Sequence, residues 1–381
     1  MKICFIDWFA YGLFNPKSKI VFGGAQIQLY LLSQELAKDK KFSVCFLTDN
    51  KKNNQLNKLG QVKVYQFVRS PKTPGLYGRF LNLLYHFPVL GYIHFFIRLL
   101  IQLRKINAQV YFQRAASAET GLIALICKML KKRFIYMVAH EQDVNGDFLK
   151  KNGWRGKLFW LGLILADKIV CQTKEQQKQL SKNLNIKSVI IPPAYPSESL
   201  SSWKSVKKLG VLWVARAETW KNPELFLDLA KRFPKEQFTM ICPPAENNPN
   251  YFKIIKAKAE TIPNLKFIPW VPFNKIDVFF KKSKVFVSTS LSEGFPNTFI
   301  QAGQNMTPII SYKINPDRII DKYRLGFCAY GDESQMINLL KKVLTSDRLR
   351  QQLSLNAFNY VKQYHDLIKN YRLFTSMIKS L

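Results

Sequence analysis

Short apolar runs rich in β-branched and aromatic residues alternate with apolar-periodic segments from end to end of this chain. Such runs read as buried strands and the periodic segments as amphipathic helices, and their alternation predicts parallel α/β sheets. In the first half the strand-like runs are residues 3–8, 43–48, 62–68, 110–113, 134–139, 168–172 and 189–191, with helical patterns between most of them, including 26–38, 118–131 and 175–183. Residues 192–208, PPAYPSESLSSWKSVKK, are rich in Pro and Ser without periodicity, which predicts an interdomain linker. A second series of strands follows at 209–215, 238–242, 265–269, 285–290, 308–312 and 327–330, and the segment from about Arg348 reads as helical throughout. There is no short-period repeat, only two α/β halves, so domains are expected at 1–197 and 207–362.

The stretch SEGFPNTFIQAG, Ser292 to Gly303, follows the run VFVSTS and predicts a strand, a turn and a helix opening at Pro296 or Asn297. Glu293 then sits at the carboxyl end of a strand, where open α/β sheets bind ligands, and the helix behind it offers unpaired N–H groups to an anion. Gly294 lets the backbone approach a ligand, and Pro296 suits a first helical turn because it has no N–H to leave unpaired. Taken alone, the segment is equally well an ordinary βα turn with a solvated glutamate. In VLWVARAETWKNPELFLDLAKRFP, Val211 to Pro234, a strand ends near Ala215, Arg216 follows, and Lys221 precedes a helix with Asn222 as its cap and Pro223 in its first turn. Arg216 and Lys221 are placed to neutralise a diphosphate, one as a planar fork and one as a point charge, although 58 basic residues make that spacing common by chance. Gly23 and Gly24 precede an amphipathic helix, an arrangement that brings backbone to a phosphate; an isolated pair is more often simply a turn. His140 closes the run RFIYMVAH before the polar EQDVNGD, and a lone histidine at a strand end is more often structural than catalytic.

Together these segments resemble the retaining nucleotide-sugar glycosyltransferases of family 4, the glycosyl transferases group 1, over essentially the whole chain and most strongly from about 209 to 331. The resemblance implies the GT-B architecture, an α/β fold of two Rossmann-like parallel-sheet domains facing each other across a cleft, with the final helix, about 363–381, completing the first domain. It implies that Glu293 contacts hydroxyls of the donor sugar and that Gly294, Phe295, Pro296, Asn297 and Thr298 belong to the donor sugar and ribose site. The family's acidic motif ends on a second glutamate, where this chain has Gln301, whose amide accepts a hydrogen bond from the ribose but lacks a carboxylate's charge. Arg216 and Lys221 match the family's diphosphate-binding pair, and Gly23 and Gly24 its loop near the donor phosphate and the acceptor. His140 matches a histidine that faces the donor sugar from the first domain and donates a hydrogen bond without a permanent charge. Asp143 would orient either the acceptor or His140, with Glu141 and Asp147 as competitors.

What the family implies is hexosyl transfer from a UDP- or GDP-linked sugar to a glycan or glycolipid acceptor, a lipid-linked or polysaccharide precursor, with retention of configuration. No motif residue is an obvious nucleophile, which favours a front-face transfer assisted by the substrate. No Asp-x-Asp, His-x-x-x-His or cysteine quartet is present, so neither metal nor cofactor is expected beyond the nucleotide sugar itself. The six cysteines are scattered without a Cys-x-x-Cys pair, as expected of reduced thiols in a cytoplasmic protein, and MKICFIDWF reads as a first strand rather than a signal peptide.

Net charge is +33, spread as +19 over residues 1–200 and +14 over the rest, so the surface attracts polyanions without a basic tail to specify nucleic acid. Residues 77–105 form the most apolar long stretch, interrupted by Pro88, Gly91, two histidines and Arg98. They read as one or two core helices, or as a basic-aromatic surface on the inner face of the cell membrane in which Arg79, Arg98, Arg104 and Lys105 meet anionic lipid. Rival readings are another GT-B enzyme, an epimerase or phosphorylase, and a non-catalytic nucleic-acid-binding protein, which has no recognisable binding module here.

Overall fold

The computed structural model describes residues 1–15, 22–49, 58–69, 88–196, 207–245 and 248–381. It divides into two compact units, Met1–Ile191 with Tyr371–Leu381, and Pro192–Asn370. The segment expected as a linker lies for the most part, at 197–206, outside the described residues, and its first residues belong to the second unit.

The first unit is built on a sheet of β1 (Lys2–Ile6), β2 (Ser43–Thr48), β3 (Lys58–Leu59), β4 (Val62–Gln66), β5 (Val110–Arg114), β6 (Arg133–Met137), β7 (Lys168–Cys171) and β8 (Val189–Ile190). Their spatial order is β3-β4-β2-β1-β5-β6-β7-β8, and only the two-residue β3 runs antiparallel to its neighbour. Both faces are covered, which is why the strands read as continuous apolar runs. Alternate residues serve opposite faces. Ile3, Phe5, Phe46 and Phe112 pack beneath Leu29, Leu32 and Leu36 of the Gly24–Lys38 helix and Phe374, Met377 and Ile378 of the last helix, Leu367–Lys379. Cys4, Ile6, Tyr111 and Tyr136 instead meet Leu99 and Leu103 of the Pro88–Ile106 helix, Ile123 of Glu119–Met129, and Phe159 and Leu163 of Asp147–Leu165. The last two helices cross with backbones nearly touching: a Cβ on Gly121 would stand 2.1 Å from the Leu158 carbonyl oxygen.

The second unit carries β9 (Val211–Val214), β10 (Phe238–Ile241), β11 (Leu265–Ile268), β12 (Val285–Ser288), β13 (Ile309–Ser311) and β14 (Gly326–Cys328), all parallel, in the order β11-β10-β9-β12-β13-β14. This is the doubly wound order, and the direction of winding reverses between β9 and β12. In the first unit the reversal falls between β1 and β5. A crevice opens outside the carboxyl ends of the two strands at each such reversal.

The carboxyl-terminal segment is not one continuous helix. It breaks at His365 and Asp366 between Asp347–Tyr364 and Leu367–Lys379. There the chain pairs with Tyr195, whose N–H donates to the His365 carbonyl at 2.9 Å and whose carbonyl accepts from Leu367 at 3.0 Å, while Asp366 caps the next helix through Lys369 N–H at 2.9 Å.

Candidate functional site

The strongest convergence of the expected site residues lies at the reversal of the second unit. After β9 the chain runs through Arg216 and a tight turn, Thr219–Lys221, into the helix Pro223–Arg232; after β12 it runs through Glu293 into the helix Asn297–Gln304. Because β9 and β12 are adjacent and parallel, both connections leave the same edge of the sheet side by side. A buried hydroxyl ties them together. Thr289 accepts from the Trp213 indole N–H at 2.8 Å and donates to the Lys221 carbonyl at 2.7 Å, and Leu291 N–H donates to the Trp220 carbonyl at 2.8 Å. The turn bearing Lys221 and the turn bearing Glu293 are thus held as one piece.

Within that piece the Lys221 ammonium and the Glu293 carboxylate form an ion pair, with side chains 16% and 9% exposed. The ammonium also lies 4.0 Å from the centroid of the Trp220 ring. Burial pushes the Lys221 pKa down, against the pull of Glu293, and the positive charge of Arg216 lowers it further. Arg216 is half-buried and reaches Glu218 at 3.6 Å. Two cations therefore face two carboxylates, and the pocket is close to neutral before any ligand arrives. Asn222 occupies the position before the helix, but its side chain makes no capping bond; its backbone is left-handed, with φ at 47°, a conformation that asparagine tolerates.

The helix after Glu293 opens at Asn297 with Pro296 as its first flanking residue, and Gly294, Phe295 and Gln301 are buried along the same turn and helix. Thr298 and Asn297 are half-buried at its first turn. Gly303 lets this helix press against Asp347–Tyr364, since a Cβ there would stand 2.8 Å from the Ala357 carbonyl oxygen. Phe295 rests on the ring of His365, 4.7 Å between centroids, and His365 is fixed by the Pro193 carbonyl at 2.6 Å and the Tyr360 hydroxyl at 3.2 Å. Burial holds that imidazole neutral, its pKa down to about 4.

The remaining expected residues belong to the first unit. Gly23 flanks the Gly24–Lys38 helix, and its N–H donates to Gln26 Oε1 at 2.9 Å while Gln26 Nε2 donates to Asp7 Oδ2 at 2.8 Å. The glycine loop is thereby tied to the carboxyl end of β1. His140 follows β6, and Asp143 is buried beneath it, accepting from Tyr136 hydroxyl at 2.9 Å, Ala139 N–H at 2.8 Å and His140 N–H at 3.3 Å. Those are the bonds of a carboxylate that shapes the His140 turn. Of its competitors, Glu141 is exposed, and Asp147 pairs with Lys151 at 3.4 Å. Between these groups stands Arg114, at the end of β5, which no motif pointed to; the only sequence signal is a charge closing the apolar strand VYFQR. Among the described residues no group of three or more His, Cys, Asp or Glu is arranged to hold a metal ion.

The architecture is the GT-B fold. The chain superposes over its full length on sucrose-phosphate synthase from Thermosynechococcus elongatus (TM-score 0.76, 14% identity, 98% of that chain) and on Anabaena HepE solved with UDP and glucose (TM-score 0.73, 13% identity, 100% of that chain). Residues 198–360 match the family Glycosyl transferases group 1. Its sequence is 27% identical over 220 residues to the amylovoran biosynthesis glycosyltransferase AmsD of Erwinia amylovora, covering 55% of this chain. It is also 24% identical over 142 residues to glycosyltransferase 1 domain-containing protein 1 of Xenopus tropicalis, and the two alignments span 60% of AmsD and 41% of the Xenopus protein.

Proposed function

We propose that the protein is a retaining hexosyltransferase that moves a sugar from a UDP- or GDP-linked donor to a glycan or glycolipid acceptor, a lipid-linked or polysaccharide precursor, without a metal. The observation that carries this reading is the Lys221–Glu293 pair, held at the reversal of the second unit by the Thr289 hydroxyl. Arg216 and Lys221 suit a diphosphate in a crevice where a helix also begins, and Glu293 suits hydroxyls of the sugar attached to it. A diphosphate entering there takes the ammonium from Glu293, which frees the carboxylate for the sugar. In the transfer the bond from the anomeric carbon to the phosphate oxygen breaks, and the acceptor oxygen bonds to that carbon on the same face. Its proton passes to the departing phosphate oxygen. The positive groups stabilise the charge that develops on the leaving diphosphate. AmsD carries amylovoran biosynthesis in its name and HepE was solved with UDP and glucose, which supports a nucleotide-sugar donor and a polysaccharide acceptor.

The reading includes attachment to an anionic membrane at the cytoplasmic face, through the first unit. On the Pro88–Ile106 helix Ile93, Ile97 and Ile101 are 51%, 49% and 61% exposed, one stripe at helical spacing that ends in Arg104 and Lys105. The part of the apolar stretch that holds Arg79 lies outside the described residues. No described helix is long and apolar enough to cross a membrane.

Thermal denaturation with nucleotides tests the donor site. UDP or GDP should raise the melting temperature in the presence of EDTA, by an amount that falls at least about tenfold in apparent affinity for Lys221→Ala. A shift that requires a divalent ion, or one indifferent to Lys221, refutes the metal-free diphosphate site.

A further inference from the structure

The strands of the second unit begin at the edge of the sheet opposite the turns that carry Lys221 and Glu293, and beside their amino ends lies a cavity of about 360 Å³. Lys208 comes to it from just before β9, Lys284 from just before β12 and Met306 from just before β13. Lys281 belongs to the helix Asp277–Lys282, and Arg350, Gln351 and Ser354 form the facing wall from successive turns of Asp347–Tyr364. No sequence motif marks the place, because four separate segments of chain build it.

Of the lining residues four are cations and one, Asp347, is an anion. Asp347 pairs with Arg350 and is 80% exposed, at the rim, while Lys284 pairs with Glu236 at 2.9 Å. Lys208 has no carboxylate partner. Its ammonium donates only to neutral oxygens: the Met306 carbonyl at 2.7 Å, the Thr307 hydroxyl at 3.1 Å, and the Asn305 and Ser283 carbonyls at 3.3 and 3.5 Å. Burial brings its pKa down to about 8, and no negative group offsets that. A half-buried ammonium without a counter-ion, set in a positive concave wall, attracts an anion more strongly than charge spread over an open surface. Lysines act there as point charges, which suits the several oxygens of a phosphate. The cavity also has room for more than the ion, since small-molecule pockets span about 300–1,000 Å³. Ser354 in the facing wall is 6% exposed, and its hydroxyl makes no hydrogen bond with any described residue, which leaves a buried donor and acceptor for a hydroxyl of the ligand.

We propose that this cavity binds a small soluble phosphate monoester of a sugar or polyol, the phosphate on Lys208, Lys281 and Lys284 and the hydroxyls toward Ser354 and Gln351. The site lies at the other end of the strands from the donor crevice and does not rest on the transferase reading. A lipid headgroup carries the same phosphate chemistry, but a cavity with a buried hydroxyl in its wall fits a ligand that enters it rather than a surface that covers it.

Isothermal titration of the full chain with glucose 6-phosphate and glycerol 3-phosphate, against inorganic phosphate, glucuronate and glucose, tests the site, with sedimentation on phosphatidic acid vesicles as the lipid arm. At least one of the two esters should bind more tightly than every control, and Lys208→Met and Lys281→Ala should each weaken it at least about fivefold. Ser354→Ala should weaken the ester at least about threefold and leave inorganic phosphate unchanged. Since alanine suits a helix, that variant and Lys281→Ala carry the test if Lys208→Met fails to fold. Lys221→Ala should bind the ester as the wild type does, which separates this site from the donor crevice. Between pH 7 and pH 9 a phosphate monoester keeps both charges, while Lys208, facing Lys281, Lys284, Arg350 and Asp347, gives up its proton. Wild-type affinity should therefore fall at least about threefold over that range. No binding of either ester, equal binding by wild type and the cavity variants, loss of binding in Lys221→Ala, a control that binds as tightly, binding to vesicles alone, or affinity unchanged from pH 7 to pH 9 each overturns the proposal.

Discussion

Lys221 and Glu293 neutralise one another in the absence of ligand, and that pairing decides what each substitution should do. Glu293→Gln keeps the shape of the side chain and releases the ammonium to a diphosphate. Nucleotide affinity should therefore be equal or higher, while turnover with a nucleotide sugar falls at least about tenfold, because the carboxylate's interaction with the sugar is lost. Isothermal titration with UDP and a donor-consumption assay check the two halves, and wild-type turnover in the variant removes Glu293 from the site. The placing of Glu293, Arg216 and Lys221 on neighbouring turns was legible in the sequence because each stands where an apolar run gives way to a helix start. The Thr289 hydroxyl that locks their turns together was not, since a threonine closing a strand gives no sign of the indole and carbonyl that meet it from another strand and turn.

At the scale of elements, the Pro88–Ile106 helix has one face in the core and another on which Ile93, Ile97 and Ile101 are exposed. Arg98, expected to meet lipid, instead lies over the buried Phe67 ring at 5.0 Å with its Nη1 buried. No acidic residue occurs between Asp49 and Glu119, however, and Arg104 and Lys105 are exposed at the helix end, so the exposed stripe suits a negatively charged bilayer. Each exposed isoleucine that enters the interface contributes roughly 1 kcal/mol and each basic residue near it about 1 kcal/mol. The chain should sediment with vesicles containing phosphatidylserine, and Ile97→Glu with Ile101→Glu should cut that binding at least about tenfold without moving the melting temperature. Equal sedimentation of the double variant refutes the docking face. Strands were the most legible elements because sheets buried on both faces leave uninterrupted apolar runs. Most runs overshoot the paired strand by one to three residues, as at 285–290 against Val285–Ser288, because the chain stays buried while it turns out of the sheet. The two-residue β3 is too short to leave a pattern, and the break at His365 depends on Tyr195, far away in sequence.

For the molecule as a whole, acid should act on the two units in opposite senses. His365 in the second unit is held neutral, its pKa lowered from 6.5 to about 4 by burial against the hydrogen bond to Pro193, with Tyr360 and Phe295 as its other neighbours. Between those values the unfolded chain binds a proton that the folded one refuses, so stability is full above about 6.5 and declines as the pH falls toward 4. Asp7 in the first unit is raised from 3.8 to about 6 by burial, against the hydrogen bonds from Phe9, Gln26 and Ala10. There the folded state binds the proton more tightly, so the strain of holding the carboxylate charged is present above about 6 and relieved as the pH falls. Asp143, also raised by burial, adds to the same trend in that unit. Hydrogen exchange at pH 7 and pH 5, corrected for intrinsic rates and read separately over β1 and β5 and over β12 and β13, resolves the two. Protection in the second unit should fall relative to the first on acidification, and His365→Gln should remove most of that difference. A uniform response of both units, or a difference that survives the His365 substitution, would show that these two buried groups do not set the acid response of the fold.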